Sequence, residues 1–224
     1  MKQDQHCCLE LINIIRKHNL TYLDDAALIE LAEAVWSVEG KNICGIFTEV
    51  GCALGGSAIV ICTAKSIERQ FDIYDIFEMI PPPSEKDGED VHARYETITE
   101  GKSPGINGDL YYGYEPDLYK KVIDNFSLFN VNLADNNVRL IKGLFTETLR
   151  INSPVAFAHI DCDWYESVMT CLERIEPFLT PGGIFVIDDY YTWSGCTKAV
   201  DEYFSDKRNK FEFVNKSRLH IKKC

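Results

Sequence analysis

Residues 157–193 read FAHIDCDWYESVMTCLERIEPFLTPGGIFVIDDYYTW, two apolar runs that each close on acid. The first, residues 155–160, is a buried-type strand ending at Asp161 and Asp163; the second, 184–187, ends at Asp188 and Asp189. Between them residues 165–179 carry helical apolar spacing, and Pro181-Gly182-Gly183 is expected to stop that helix and turn the chain. Strand, helix, strand in this order predicts a βαβ unit with parallel strands whose carboxyl ends share one sheet edge. Four carboxylates therefore gather where open α/β sheets bind ligands. Like charges so placed repel one another, and a hard divalent cation, Mg²⁺ first among them, is the simplest thing that holds them together.

The rest of the chain extends that unit. At 224 residues it is long enough for one domain with a full core. The balance is acidic, 35 Asp and Glu against 23 Lys and Arg for a formal charge of −12. That disfavours nucleic-acid and anionic-membrane partners, which need basic surface to meet phosphate. No opening segment reads as a signal peptide, and no apolar run reaches the roughly 20 residues that span a bilayer. Nine scattered cysteines, none in C-x-x-C spacing, argue against a zinc site or disulfide framework and for a reducing, cytoplasmic compartment.

Two helices, residues 5–17 and 25–38, precede the first strand. They are read as cover for a sheet edge, as a homodimer surface, or as part of a lid. Residues 44–50 form the first strand, and Gly51-Cys52-Ala53-Leu54-Gly55-Gly56-Ser57 turns it into a helix. Such a turn lets a ligand approach backbone. Its G-x-x-x-G-G spacing differs from the dinucleotide fingerprint, and Glu49 just before it would repel a pyrophosphate. Asp75 near the end of the second strand, 71–77, is placed to accept hydrogen bonds from ribose hydroxyls. Residues 78–115 form one long irregular region, Pro-rich, then charged, then closed by Tyr111, Tyr112 and Tyr114. It is expected to act as a lid, and its acidity points to a neutral or cationic acceptor. A strand at 138–141, helices at 115–129, 146–149 and 195–210, and a closing hairpin of 211–215 and 218–222 complete a seven-stranded α/β sheet. Its strands are mostly parallel with the last reversed.

This order, with the acidic first turn and the acid ending strand two, resembles class I S-adenosylmethionine methyltransferases, a Rossmann-like fold. The motifs EVGCALGGSA (49–58), DIFEMIP (75–81), KGLFTETL (142–149), IDCDWYES (160–167) and LTPGGIFVIDDY (179–190) are, in register, similar to the macrocin O-methyltransferase family. That family methylates sugar hydroxyls on natural products. The resemblance implies Mg²⁺ ligands at Asp161, Asp188 and Asp189 and a general base at Asp163. It further implies a donor site in which Gly51, Gly55, Gly56 and Ser57 pass the methionine part, with Glu49 beside the turn. Asp75 would take the ribose and Phe145 would flank the adenine. The implied cofactors are S-adenosylmethionine and Mg²⁺, and the partner a sugar-containing small-molecule acceptor.

Other readings stay open from the residues alone. Asp163 could simply cap the following helix. Asp161-Cys162-Asp163 is also the D-x-D of metal-dependent glycosyltransferases, and the fold could serve a non-catalytic binding protein. His159, inside a strand, reads as a core residue or a support for the site, and Trp164 lies toward the acceptor.

Overall fold

The computed structural model describes the backbone of residues 2–224 and the side chains from residue 8 onward, so His6 and Cys7 lie outside the described side chains. The expected strands form one seven-stranded sheet in the order β3-β2-β1-β4-β5-β7-β6. These are β1 Ile46–Val50, β2 Phe71–Asp75, β3 Val138–Lys142, β4 Val155–Ile160, β5 Leu179–Ile187, β6 Phe211–Asn215 and β7 Leu219–Lys223. The central strands are buried along their length, as apolar runs flanked by helices require. β7 alone runs against its neighbours, pairing antiparallel with both β5 and β6.

Helices cover both faces. α1 (Lys2–Lys17), α2 (Asp25–Gly40), α3 (Gly56–Ala64) and α5 (Leu118–Leu128) pack over Phe47, Phe157 and Val186. α7 (Tyr165–Ile175) and α8 (Ser194–Phe204) pack over Ala158, Phe185 and Ile221 on the other face. Chain direction across the sheet therefore switches between β1 and β4, the position where open α/β sheets take their ligands. The N-terminal helices lie over the sheet face rather than along an edge, since α2 carries buried Leu28, Leu31 and Val35 toward it. Asp24 caps α2 by accepting from Ala27 N at 2.8 Å.

The Pro-Gly-Gly expectation needs correction. α7 already ends at Ile175, and a single 3₁₀ turn, Glu176–Phe178, carries Pro177. β5 begins at Leu179, and Pro181-Gly182-Gly183 forms a bulge within it. Val155 pairs with Leu179, but Phe157 already pairs with Ile184. Gly182 takes φ +82° in that bulge, and the Thr180 hydroxyl bonds the Val155 and Cys44 carbonyls at 3.0 and 3.1 Å.

Residues 78–115 form an ordered segment. They contain α4 (Glu89–Thr99) and two one-turn 3₁₀ helices, and are tied to the body. The Trp164 indole donates to Pro81 O at 3.0 Å, Tyr165 N to Asp87 Oδ1 at 2.8 Å, and Ser194 N to Asp90 Oδ2 at 2.9 Å. No described helix is long and apolar enough to cross a membrane.

Candidate active site

β1 and β4 meet at their carboxyl ends so closely that a Cβ on Gly51 would lie 1.7 Å from the Asp161 carbonyl oxygen. Gly51 sits at φ +83°, and its N–H donates to Tyr74 O at 2.8 Å. Only glycine satisfies both the left-handed backbone and the contact. The turn that follows is fastened by Asp75, whose Oδ2 accepts from Cys52 N at 2.8 Å and from Ala53 N at 3.3 Å while Oδ1 accepts from Phe77 N at 2.7 Å. Burial raises the Asp75 pKa, and these three donors oppose the rise.

Two adjoining clefts open at this edge and share Gly51, Asp75, Tyr112, Asp161 and Asp163. The first runs over Ile76, Gly143, Leu144 and Phe145, where α6 (Phe145–Thr148) begins. The second is bounded by Tyr22, Tyr111, Trp164 and Trp193, with Asp188, Asp189 and Arg218 at its floor. Cys52, Ala53 and Ser57 line the second cleft, but Gly55 and Gly56 line neither. The missing Cβ of Gly55 makes room for Val122, and that of Gly56 for the Leu20 carbonyl, which accepts Gly56 N–H at 3.0 Å. These two glycines serve packing against α5 and the α1–α2 loop.

Glu49 also lies behind the cleft wall. It is wholly buried, its Oε1 2.7 Å from His159 Nδ1 on the neighbouring strand, while Glu49 Oε2 and His159 Nε2 have no partner. Strand register continues this row through Val186 to His220.

The acids come together as the sequence implies. Asp161, Asp188 and Asp189 each offer an oxygen within 4.8 Å of the others. Burial, then the charges of Asp188 and Asp189, raises the Asp161 pKa well above the carboxylate range, and burial with Asp163 and Asp188 does the same at Asp189. Such a set is costly as three bare anions and suits a hard cation with oxygen ligands. Arg218 offsets part of the charge, its Nε donating to Asp188 Oδ1 at 2.6 Å. Arg218 stands at the hairpin between β6 and β7, a position that no local motif marks.

Asp163 does not cap α7. The N-cap is Trp164, and Asp87 accepts the Tyr165 N–H instead. Asp163 takes a left-handed backbone, φ +57°, and its N–H donates to Asp189 Oδ2 at 3.2 Å. Burial and the Asp188 charge push its carboxyl up to about 6, against the pull of a Trp193 hydrogen bond and of Arg94. The capping and support partners, Asp87 and Trp193, were not legible because they come from distant segments.

Comparison with known proteins bears on all of this. The macrocin-O-methyltransferase (TylF) family model matches residues 17–215. The demethyldecarbamoylnovobiocin O-methyltransferase of Streptomyces niveus is 31% identical over 195 residues, covering 84% of this chain and 67% of its own. The mycinamicin III 3''-O-methyltransferase of Micromonospora griseorubida is 38% identical over 184 residues, covering 79% and 66%. The chain thus spans about two thirds of the length of these relatives. In fold it is similar to the O-methyltransferase NovP, with a TM-score of 0.74, 24% identity, and coverage of 91% of this chain and 82% of that one. With the class I methyltransferase topology and the sequence match agreeing over most of its length, the chain belongs to the macrocin O-methyltransferase family.

Proposed function

We propose that the protein transfers a methyl group from S-adenosylmethionine to a hydroxyl of a sugar or other polyhydroxylated small molecule. The observation that carries this reading is that the two clefts meet at Gly51, Asp161 and Asp163. A donor laid along one and an acceptor in the other would place their reacting atoms side by side. Family membership and the O-methyltransferase names of the relatives support it. The D-x-D glycosyltransferase reading and that of a non-catalytic binding protein are not carried forward.

In the donor cleft, Asp75 accepts from ribose hydroxyls with the lone pairs its backbone bonds leave free, and Phe145 flanks the adenine. The methionine part passes from Gly51 into the near end of the second cleft, where the turn at Cys52 and Ala53 and Ser57 at the start of α3 receive it beside the acceptor. Glu49 and His159 hold that turn from behind. In the acceptor cleft, Tyr22, Tyr111, Trp164 and Trp193 offer ring faces to the apolar side of a sugar. Asp161, Asp188 and Asp189 would hold a divalent cation, Mg²⁺ by donor chemistry. When bound, such an ion lowers the pKa of a hydroxyl and orients it. Asp163 takes the hydroxyl proton as the oxygen bonds to the methyl carbon and the carbon–sulfur electron pair leaves with sulfur. A carboxylate raised to about 6 is mostly ionised at neutral pH yet more basic than an ordinary one. Residues 78–115 close the site as a lid on a single domain of residues 1–224 whose first 42 residues are a helical extension. A cytoplasmic location, suggested by buried thiols such as Cys62 and Cys171, and a homodimer through the exposed Leu9 and Ile14 of α1 complete the reading.

The test is titration calorimetry with S-adenosylhomocysteine, followed by radiolabelled methyl transfer to a panel of glycosides with Mg²⁺ or with EDTA. Binding without transfer to any polyol would remove the acceptor half of the reading, and no binding would remove it whole.

A further inference from the structure

One cation faces the acid-rich acceptor cleft without an acceptor of its own. Arg94, partly buried on α4, lines that cleft with Asp163, Asp188 and Asp189. Its guanidinium carbon lies 5.5 Å from the centre of the Tyr111 ring. The sequence has eight arginines. Seven donate hydrogen bonds to carboxylates or carbonyls: Arg16, Arg69, Arg139, Arg150, Arg174, Arg208 and Arg218. Arg94 donates none among the described residues, and only the ring contact holds it. Contact with an aromatic face fixes the guanidinium but satisfies none of its five N–H groups. Its charge is felt at Asp163, whose pKa it lowers, yet no hydrogen bond joins the two.

The lid's acids point elsewhere. Asp87 and Asp90 are used on the N–H groups of Tyr165 and Ser194, and Glu78 pairs with Lys142 at 2.8 Å. The net acidity of residues 78–115 suggested a neutral or cationic acceptor, but none of the nine acids of this segment lines the second cleft. Glu78 lines the first cleft, and the one charge this segment turns toward the second is the positive one of Arg94.

We propose that Arg94 binds an anionic substituent of the acceptor, a phosphate or carboxylate, so that the substrate is an acidic sugar derivative rather than a neutral glycoside. A planar fork with every donor free is the group best matched to such an anion. The proposal rests on the acceptor reading above. Anchored at Arg94, the sugar lies between that guanidinium and the carboxylates that hold its reacting hydroxyl.

Calorimetry on the whole chain, free of divalent metal and at one ionic strength, compares glucose 1-phosphate, glucuronate and methyl glucoside. It uses the natural protein, Arg94→Met and Arg94→Lys, each with and without saturating S-adenosylhomocysteine. At least one anionic sugar is expected to bind about tenfold or more tightly than methyl glucoside. Arg94→Met should erase that preference and Arg94→Lys should keep part of it, with all three proteins binding S-adenosylhomocysteine alike. Which anion wins separates phosphate from carboxylate. Equal or undetectable binding of all three sugars overturns the proposal, as does an Arg94→Met variant that weakens the neutral sugar equally, because Arg94 would then only balance Asp163. Failure to bind S-adenosylhomocysteine would instead sink the donor reading, while the sugar comparison without it still scores the anion subsite.

Discussion

The two halves of the cleft are built by opposite means. The proposed donor half is mostly backbone: a turn locked by Asp75 onto the N–H groups of Cys52 and Ala53, and a β1–β4 junction that leaves no room for a Cβ at Gly51. The proposed acceptor half is mostly side chain: three acids within 4.8 Å, Asp163 beside them, and aromatic walls from Tyr22, Tyr111, Trp164 and Trp193. A backbone site tolerates changes in side-chain chemistry but not in volume at the turn. A carboxylate site keeps its shape under substitution but loses its chemistry.

Substitutions can break that contrast. The largest effect is expected at the acids: Asp188→Ala or Asp189→Ala should lower turnover by about 10³-fold or more and remove any response to Mg²⁺. S-adenosylhomocysteine affinity, read by calorimetry, should hold, and normal methylation by Asp188→Ala in EDTA would end the cation assignment. Asp163→Asn should cost about 10²–10⁴-fold in kcat with donor affinity unchanged. A loss confined to KM would move Asp163 from proton transfer to positioning.

In the donor half, Gly51→Ala should destabilise the fold by about 2–4 kcal/mol and abolish S-adenosylhomocysteine binding. Denaturant melts would measure the first, and a variant of natural stability would contradict the close junction.

His220 tests the sheet beneath the acceptor half. Burial, helped by Lys216 and His159 and opposed by Glu30, lowers its pKa to about 4. The unfolded chain, with a value near ~6.5, takes up the proton first as pH falls. This contribution is therefore fully present above about 6.5, is lost between there and about 4, and is flat below. Its full size is about 3 kcal/mol. His220→Leu should flatten the stability difference over that window, and an unchanged slope would place the acid sensitivity elsewhere. The smallest effect is expected from Trp164→Phe, which removes the bond to Pro81 O. About 1 kcal/mol of lid docking should appear as a few-fold rise in acceptor KM with donor KM unmoved.

The sheet, its reversed strand and the gathering of four acids were legible because each follows from short-range pattern: apolar runs, their terminal acids, and the rule that crossovers keep strands parallel. The bulge at Pro181-Gly182-Gly183 was not, because proline and glycine punctuate a turn and a bulge alike, and only pairing with Val155 distinguishes them. The family resemblance places Gly55 and Gly56 beside the donor, while the atoms nearest their missing Cβ positions belong to Val122 and Leu20. A sequence marks the need for a small residue without naming what approaches it. Asp87 in place of Asp163 as the partner of the Tyr165 N–H, and Arg218 beside Asp188, depend on segments 78 and 30 residues away, beyond any local motif.

The buried pair of Glu49 and His159 carries a consequence for descent. Removing one member strands the other without water or partner, whereas replacing both by apolar residues of similar volume can be neutral. The two positions should therefore change together across the family, and a lineage carrying only one of them should show compensation at a neighbour in the same row, with His220 the first place to look.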